Sequence, residues 1–191
     1  MQKVVGLTGG IGSGKTTIAN YLVSLGIPVY IADDAGKKVM QQQEITEAIE
    51  SKFGKNIFEN EQLNRSKLAE IVFNNPDQLK ELNAIVHPAV KRDYKKWLSE
   101  HADFPLLVYE SAILFESGSY KDFEYIITVT APLELRISRV LQRDNTQRKQ
   151  ILKRMDAQWT DEQRISKSDF VIENIDIDLA KDEINKILKI L

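Results

Sequence analysis

The chain has 191 residues, 42% hydrophobic and 28% charged, enough apolar material for one buried core and too balanced a mixture for disorder. Its formal net charge is −2, so no overall basic field points to nucleic acid, and it has no cysteine, which excludes disulfides, thiolate metal centres and a cysteine nucleophile. No apolar run approaches the ~20 residues of a membrane span and no cationic, then apolar leader opens the chain, so a cytoplasmic single domain is expected.

Val4-Val5-Gly6-Leu7 is a short apolar run ending in a glycine-rich turn, which predicts a buried parallel strand. Ile18, Ala19, Leu22 and Val23 then recur at helical spacing, with Gly26 and Pro28 as stops. Val29-Tyr30-Ile31 is a second strand, and the three elements make one βαβ unit. From Asp34 to Phe53 the pattern is helical, broken near Gln43 and ended by Gly54. A middle section without a strand follows. Leu68, Ile71 and Val72 share a helical face, Asn75-Pro76 starts another helix, and His87-Pro88 reads as a further restart. Alternation resumes with Leu106-Leu107-Val108-Tyr109 and Tyr125-Ile126-Ile127-Thr128-Val129, helices at about 132–143 and 147–158, and a capping box at Thr160 and Gln163. Phe170-Val171-Ile172 is a fifth strand and Ile177 to Leu191 a closing amphipathic helix. The expectation is a three-layer α/β domain with a five-stranded parallel sheet: a core at 1–60 and 104–191, a helical insertion at 61–103 and a lid at about 143–158.

The strongest signal is Gly9-Gly10-Ile11-Gly12-Ser13-Gly14-Lys15-Thr16, the G-x-x-x-x-G-K-[ST] pattern between a strand and a helix. Glycines let successive N–H groups converge on phosphate oxygens, and the helix N-terminus adds its positive dipole end. Lys15 reaches the β- and γ-phosphates, and the Thr16 hydroxyl is placed to ligate Mg²⁺ beside ATP, with Thr17 next along the helix. The motif points to a nucleoside triphosphate and leaves open what is done with it.

Asp33 lies just past the second strand, where ligands of open α/β sheets bind. Two readings stand: a base accepting the proton of an attacking hydroxyl, or an N-cap, with Asp34 the better placed of the two for capping. Asp33-Asp34-Ala35-Gly36 also fits the D-x-x-G of a GTPase switch, but eighteen residues after Lys15 leave no room for the switch segment and the extra strand. From Arg136 to Arg154 the chain holds Arg136, Arg139, Arg143, Arg148, Lys149, Lys153 and Arg154 against Asp144 alone. This is either a solvated basic helix face or, given the phosphate loop, a lid whose Arg139 and Arg143 clamp polyphosphate in the closed state.

Taken together, these segments resemble the dephospho-CoA kinase family from about Val4 to Asn174. The resemblance rests on Leu7 to Lys15, Ala32-Asp33, Leu82-Asn83-Ala84-Ile85-Val86-His87-Pro88, Ile113-Leu114-Phe115-Glu116, and Arg143-Asp144 followed by Arg154 and Gln158. It implies a P-loop kinase fold with a helical acceptor-binding insertion and a lid, and transfer of the ATP γ-phosphoryl to the ribose 3′-hydroxyl of dephospho-CoA. Asp33 matches the family's catalytic base, although Ile31 stands where the family has the first Asp of Asp-x-Asp. By the same resemblance Thr8, Asp33, His87, Phe115 and Glu116 line the acceptor side; His87-Pro88 keeps its alternative as a helix-starting turn. Glu110-Ser111-Ala112 replaces the family's Asp-x-Pro, and Glu110 keeps a carboxylate able to hold Mg²⁺ through water. Another small-metabolite kinase, such as a nucleotide or shikimate kinase, is the alternative. No nucleic acid or membrane partner is expected.

Overall fold

The computed structural model describes residues 2–73, 75–144 and 146–191. The chain divides into two compact units, Met1–Ile31 with Ala102–Leu191, and Ala32–His101.

The first unit holds a sheet of β1 (Lys3–Thr8), β2 (Val29–Ile31), β5 (Leu106–Glu110), β6 (Tyr125–Thr130) and β7 (Phe170–Glu173). Spatial order is β2-β5-β1-β6-β7 and every pairing is parallel, as the run of βα alternations requires. Side-chain alternation assigns the faces. Val5, Leu7, Val108, Ile127, Val129 and Ile172 point to one face, where they bury Ile18, Ala19 and Leu22 of α1 (Lys15–Ser24) and Ala180, Ile184 and Ile187 of α9 (Ile177–Leu188). The opposite face carries Tyr109 and Ile126 under Leu114, Phe115, Tyr120, Phe123 and Trp159. Gly6 lies on that side, and a Cβ there would sit 2.8 Å from both Ile126 Cδ1 and Leu114 Cδ2. After β6 come α6 (Leu133–Arg143), α7 (Arg148–Asp156) and α8 (Asp161–Ile165). Thr160 and Gln163 close the expected capping box on α8.

The second unit consists of α2 (Ala32–Val39), α3 (Gln43–Phe53), the hairpin strands β3 (Phe58–Glu59) and β4 (Gln62–Leu63), α4 (Arg65–Phe73) and α5 (Pro76–Glu100). Val39, Ile45, Ile49, Ile57, Leu68, Val72 and Ala89 form its own core. The expected insertion at 61–103 lies mostly within this unit, which extends back to Ala32.

Three local expectations need correction. The middle section does contain strands: β3 and β4 pair antiparallel through Asn60 and Glu61, at φ 48° and 63°. Second, helix α5 does not restart at His87-Pro88 but runs through it as one 25-residue element. Pro88 removes one backbone donor, yet Leu82, Ile85, Val86, Ala89 and Val90 are packed on the core on both sides of it, and that burial outweighs one lost bond. Its start is as expected, with the Asn75 side chain accepting from the Asp77 and Gln78 amides and Pro76 in the first turn. Third, α2 begins directly after β2, so Asp33 and Asp34 both sit inside its first turn and neither is its cap. Asp34 instead pairs with Lys37 at 2.7 Å.

Candidate active site

The loop between β1 and α1 must turn successive amides inward, and its carbonyls then point outward into protein, where each needs a donor. The structure supplies those donors. Arg136 Nε donates to the Ile11 carbonyl at 2.9 Å, and Asn174 Nδ2 donates to the Ser13 carbonyl at 2.8 Å. The Gly10 carbonyl accepts from the Ser13 amide at 3.1 Å, within the loop itself. Gln158 Oε1 accepts from the Ile11 amide at 3.2 Å, so Ile11 is gripped on both backbone groups. Its side chain packs with Ile137, Val140 and Ile151, between α6 and α7. Two glycines have direct spatial reasons: a Cβ at Gly10 would strike the Arg136 guanidinium, and one at Gly12 the Arg136 backbone. Gly14 ends the loop at φ 93°, and the first turn of α1 carries no acidic side chain, which leaves the positive helix end open to an anion.

Lys15 is held at the mouth of this loop. Its Nζ lies 3.4 Å from Glu110 Oε1 at the end of β5, and both side chains are nearly buried. Thr16 and Thr17 are exposed in the first turn. Thr8 is fully buried, and its hydroxyl makes no hydrogen bond among the described residues. No group of three carboxylates or histidines able to cage a metal ion occurs among the described residues. Thr16 carries an exposed hydroxyl and Glu110 a carboxylate paired with Lys15, both hard oxygen donors of the kind a divalent cation shared with substrate phosphates takes.

The basic stretch divides in two. Arg136 is 7% exposed and belongs to the loop wall, not to a lid: besides holding Ile11 it pairs with Asp161 Oδ2 at 2.8 Å. Arg139 donates to the Ile175 carbonyl at 3.4 Å, while its Nη1 is buried without a partner. Arg143 is exposed at the end of α6 and doubly bonded to Asp144 at 2.8 and 3.1 Å, which holds the Asp144 carboxyl below its usual range. Arg154 reaches the same carboxylate at 3.4 Å, and Arg148 pairs with Glu134. Of the expected lid at 143–158, residue 145 lies outside the described residues. α7 docks through Ile151, fully buried against Ile137 and Val140, and turns its cations to solvent.

Of the residues expected on the acceptor side, Phe115 and Glu116 of the first unit are committed to packing and pairing. Phe115 stacks on Trp159 with centroids 5.3 Å apart and planes 4° from parallel. Glu116 Oε1 accepts from the Trp159 amide at 2.8 Å and from Arg164 at 3.4 Å, while Oε2 is buried without a partner. Asp33 and His87 belong to the second unit: Asp33 is exposed in the first turn of α2, and His87 is exposed in mid-α5. Partial desolvation of its ring pushes the His87 imidazole below its ordinary 6.5. Sequence reasoning gave no role to Asn174, Asp161, Arg164 or Trp159. The one available signal was Asn174 at the end of the last strand, the position where functional groups gather in such sheets.

A family model described as dephospho-CoA kinase matches residues 3–178. A dephospho-CoA kinase of Fusobacterium nucleatum is 40% identical over 172 residues, covering 90% of this chain and 89% of its own. The crystal structure of TT1252 from Thermus thermophilus aligns with a TM-score of 0.92 at 33% identity, covering 98% of this chain and 96% of that one. The dephospho-CoA kinase of Campylobacter jejuni aligns at 0.72 with 28% identity, covering 100% and 98%.

Proposed function

The chain belongs to the dephospho-CoA kinase family, and on that premise we propose how its residues divide the reaction between them. The activity is ATP-dependent phosphorylation of the ribose 3′-hydroxyl of dephospho-CoA, the last step of coenzyme A synthesis. In the proposed scheme the loop residues from Gly9 to Thr17, with Gly10, Ile11, Gly12, Ser13 and Gly14 between, cradle the ATP phosphates. Lys15 neutralises charge growing on the transferring group. The observation that carries this assignment is the setting of Lys15, 3.4 Å from the buried Glu110 carboxylate at the end of the neighbouring strand.

ATP chemistry calls for a divalent cation, and Mg²⁺ is the ion proposed. Thr16 and Glu110 are the residues that would hold it, and it would supply positive charge to offset that of the phosphates. Asp33 is the proposed base for the 3′-hydroxyl, exposed in the first turn of α2 where a hydroxyl can approach its carboxylate. Arg139 and Arg143 are proposed to bind the phosphates on closure of the lid at about 143–158, Arg143 leaving Asp144 to do so. Thr8, His87, Phe115 and Glu116 are proposed for the acceptor. Depression of its pKa keeps His87 neutral at neutral pH, able to donate and accept one hydrogen bond each. The helical unit is proposed to carry acceptor binding, and the cytoplasmic location is likewise proposed, on family membership.

The test is ADP release from ATP and Mg²⁺ with dephospho-CoA, AMP, CMP or shikimate as acceptor. Turnover with dephospho-CoA alone is expected; equal or faster turnover with another acceptor contradicts the reading. Asp33→Asn keeps shape and helix compatibility while removing the proton acceptor. It should lower kcat by roughly 10²–10⁴-fold with binding of both substrates retained. A stable Asn variant with unchanged turnover would remove Asp33 from the mechanism.

A further inference from the structure

The wall behind the phosphate loop is a chain of buried charges that runs on past it. Arg136 holds the Ile11 carbonyl through Nε and donates through Nη1 to Asp161 Oδ2. The same oxygen accepts from Thr130 Oγ1 at 2.7 Å. Asp161 Oδ1 accepts from Arg164 Nη1 at 3.1 Å, and Arg164 Nη2 continues to Glu116 Oε1 at 3.4 Å. Glu116 is closed off by the Trp159 amide at 2.8 Å, next to the Phe115–Trp159 stack. The arginines are buried almost completely, at 9% and 1% side-chain exposure, and the carboxylates at 18% and 19%. Two cations and two anions alternate, so removing Asp161 leaves Arg136 buried without a counter-charge and Arg164 with Glu116 alone.

Such an arrangement is more than local packing, because its two ends differ in kind. One end is a loop carbonyl whose direction decides where the following amides point. The other is Glu116, whose second oxygen is buried without a partner and which stands in the segment proposed for the acceptor. Asp161 is the only member bonded to both arginines among the described residues, and it sits in the first turn of α8, fixed by the capping box beside it.

We propose that Asp161 is a positioning residue: through Arg136 it sets the Ile11 carbonyl and hence the aim of the loop amides, and through Arg164 it couples that setting to Glu116. The coupling to an acceptor rests on the function proposed above; the effect on nucleotide does not. Occupation of Glu116 changes the charge that Arg164 faces, Arg164 shifts its hold on Asp161, and the loop tightens or relaxes on the nucleotide. Linkage then makes nucleotide and acceptor alter each other's affinity by one common factor.

The experiment is calorimetric titration of full-length protein with Mg²⁺–ADP and no acceptor, joined to steady-state kinetics. Asp161→Asn should weaken ADP about tenfold and raise KM for ATP with a smaller change in kcat. A purely structural Asp161 predicts a lower melting temperature with ADP affinity of the folded protein unchanged, and that result overturns the proposal. Glu116→Gln, at the far and partly exposed end, should weaken ADP about two- to fivefold although it touches no part of the loop. An ADP affinity equal to that of the parent in this variant overturns the coupling, and it decides the matter if the Asn variant fails to fold. None of these titrations needs dephospho-CoA, so a failure to phosphorylate it would contradict the proposed function and leave the Asp161 result standing.

Discussion

Arg136 and Arg143 stand two turns apart on one side of α6, in one run of basic sequence, and do opposite things. Arg136, in the first turn, is buried, bonded to a backbone carbonyl and paired with a buried-network carboxylate. Arg143, at the last position, has a side chain 60% exposed and paired with the residue next to it. The first cannot leave without taking one of Asp161's two cations and the Ile11 carbonyl's donor; the second can exchange its partner for solvent or an anion at small cost. Burial, not charge, separates an arginine that builds the phosphate loop from one able to move onto a phosphate.

That contrast can be broken in several places. Arg136→Met should have the largest effect, a destabilisation of about 3 kcal/mol, because Asp161 keeps one cation of two and the Ile11 carbonyl loses its donor. A urea titration showing a loss under about 1 kcal/mol would put Arg136 with the surface cations. Arg143→Ala should leave the urea midpoint within error and lower kcat about 10–100-fold, at least as strongly as it weakens ATP. A rise in KM for ATP with kcat unchanged would make it a simple binding contact.

A smaller effect is expected from pH. His87 has its pKa depressed by partial desolvation from 6.5, so the unfolded chain binds its proton more readily. Its contribution to stability is fully present above 6.5 and is lost as pH falls through the lower, folded value. The melting temperature should therefore drop slightly more between about pH 7.5 and about pH 5.5 in the parent than in His87→Gln. Equal slopes would show that the imidazole pays no desolvation penalty. The smallest effect belongs to Glu134→Gln, which breaks the exposed pair with Arg148. No shift in urea midpoint is expected at moderate salt, and a clear one would show that the surface pairs hold α7 in place.

Much of this was legible in the sequence because it depends on local chemistry. The phosphate loop, the order of five apolar runs, the Asn75-Pro76 start and the Thr160–Gln163 capping box each follow from neighbouring residues alone. The β3–β4 hairpin was not legible, since Glu61 holds a left-handed conformation that glycine would ordinarily signal. Pro88 misled for the opposite reason: a strong local breaker is overruled by packing on both sides. The arginines were read as one group because helical phase does not divide them. Arg136 and Arg143 share a side of α6, and only their height along it, beside the loop or beyond it, decides their burial. Asn174 and Asp161 act on Ser13 and Arg136 from far along the chain, and no spacing rule reaches that distance.

Parallel titration of Arg136→Lys and Arg143→Lys with Mg²⁺–ADP, alongside their kcat values, tests the division most directly. Lysine keeps the charge and loses the fork that bonds a carbonyl and a carboxylate at once. Arg136→Lys should weaken ADP about tenfold, because the Ile11 carbonyl loses its donor, while Arg143→Lys should bind ADP within about threefold of the parent and lose kcat. The reverse pattern, with ADP affinity kept at position 136 and lost at 143, would contradict the account.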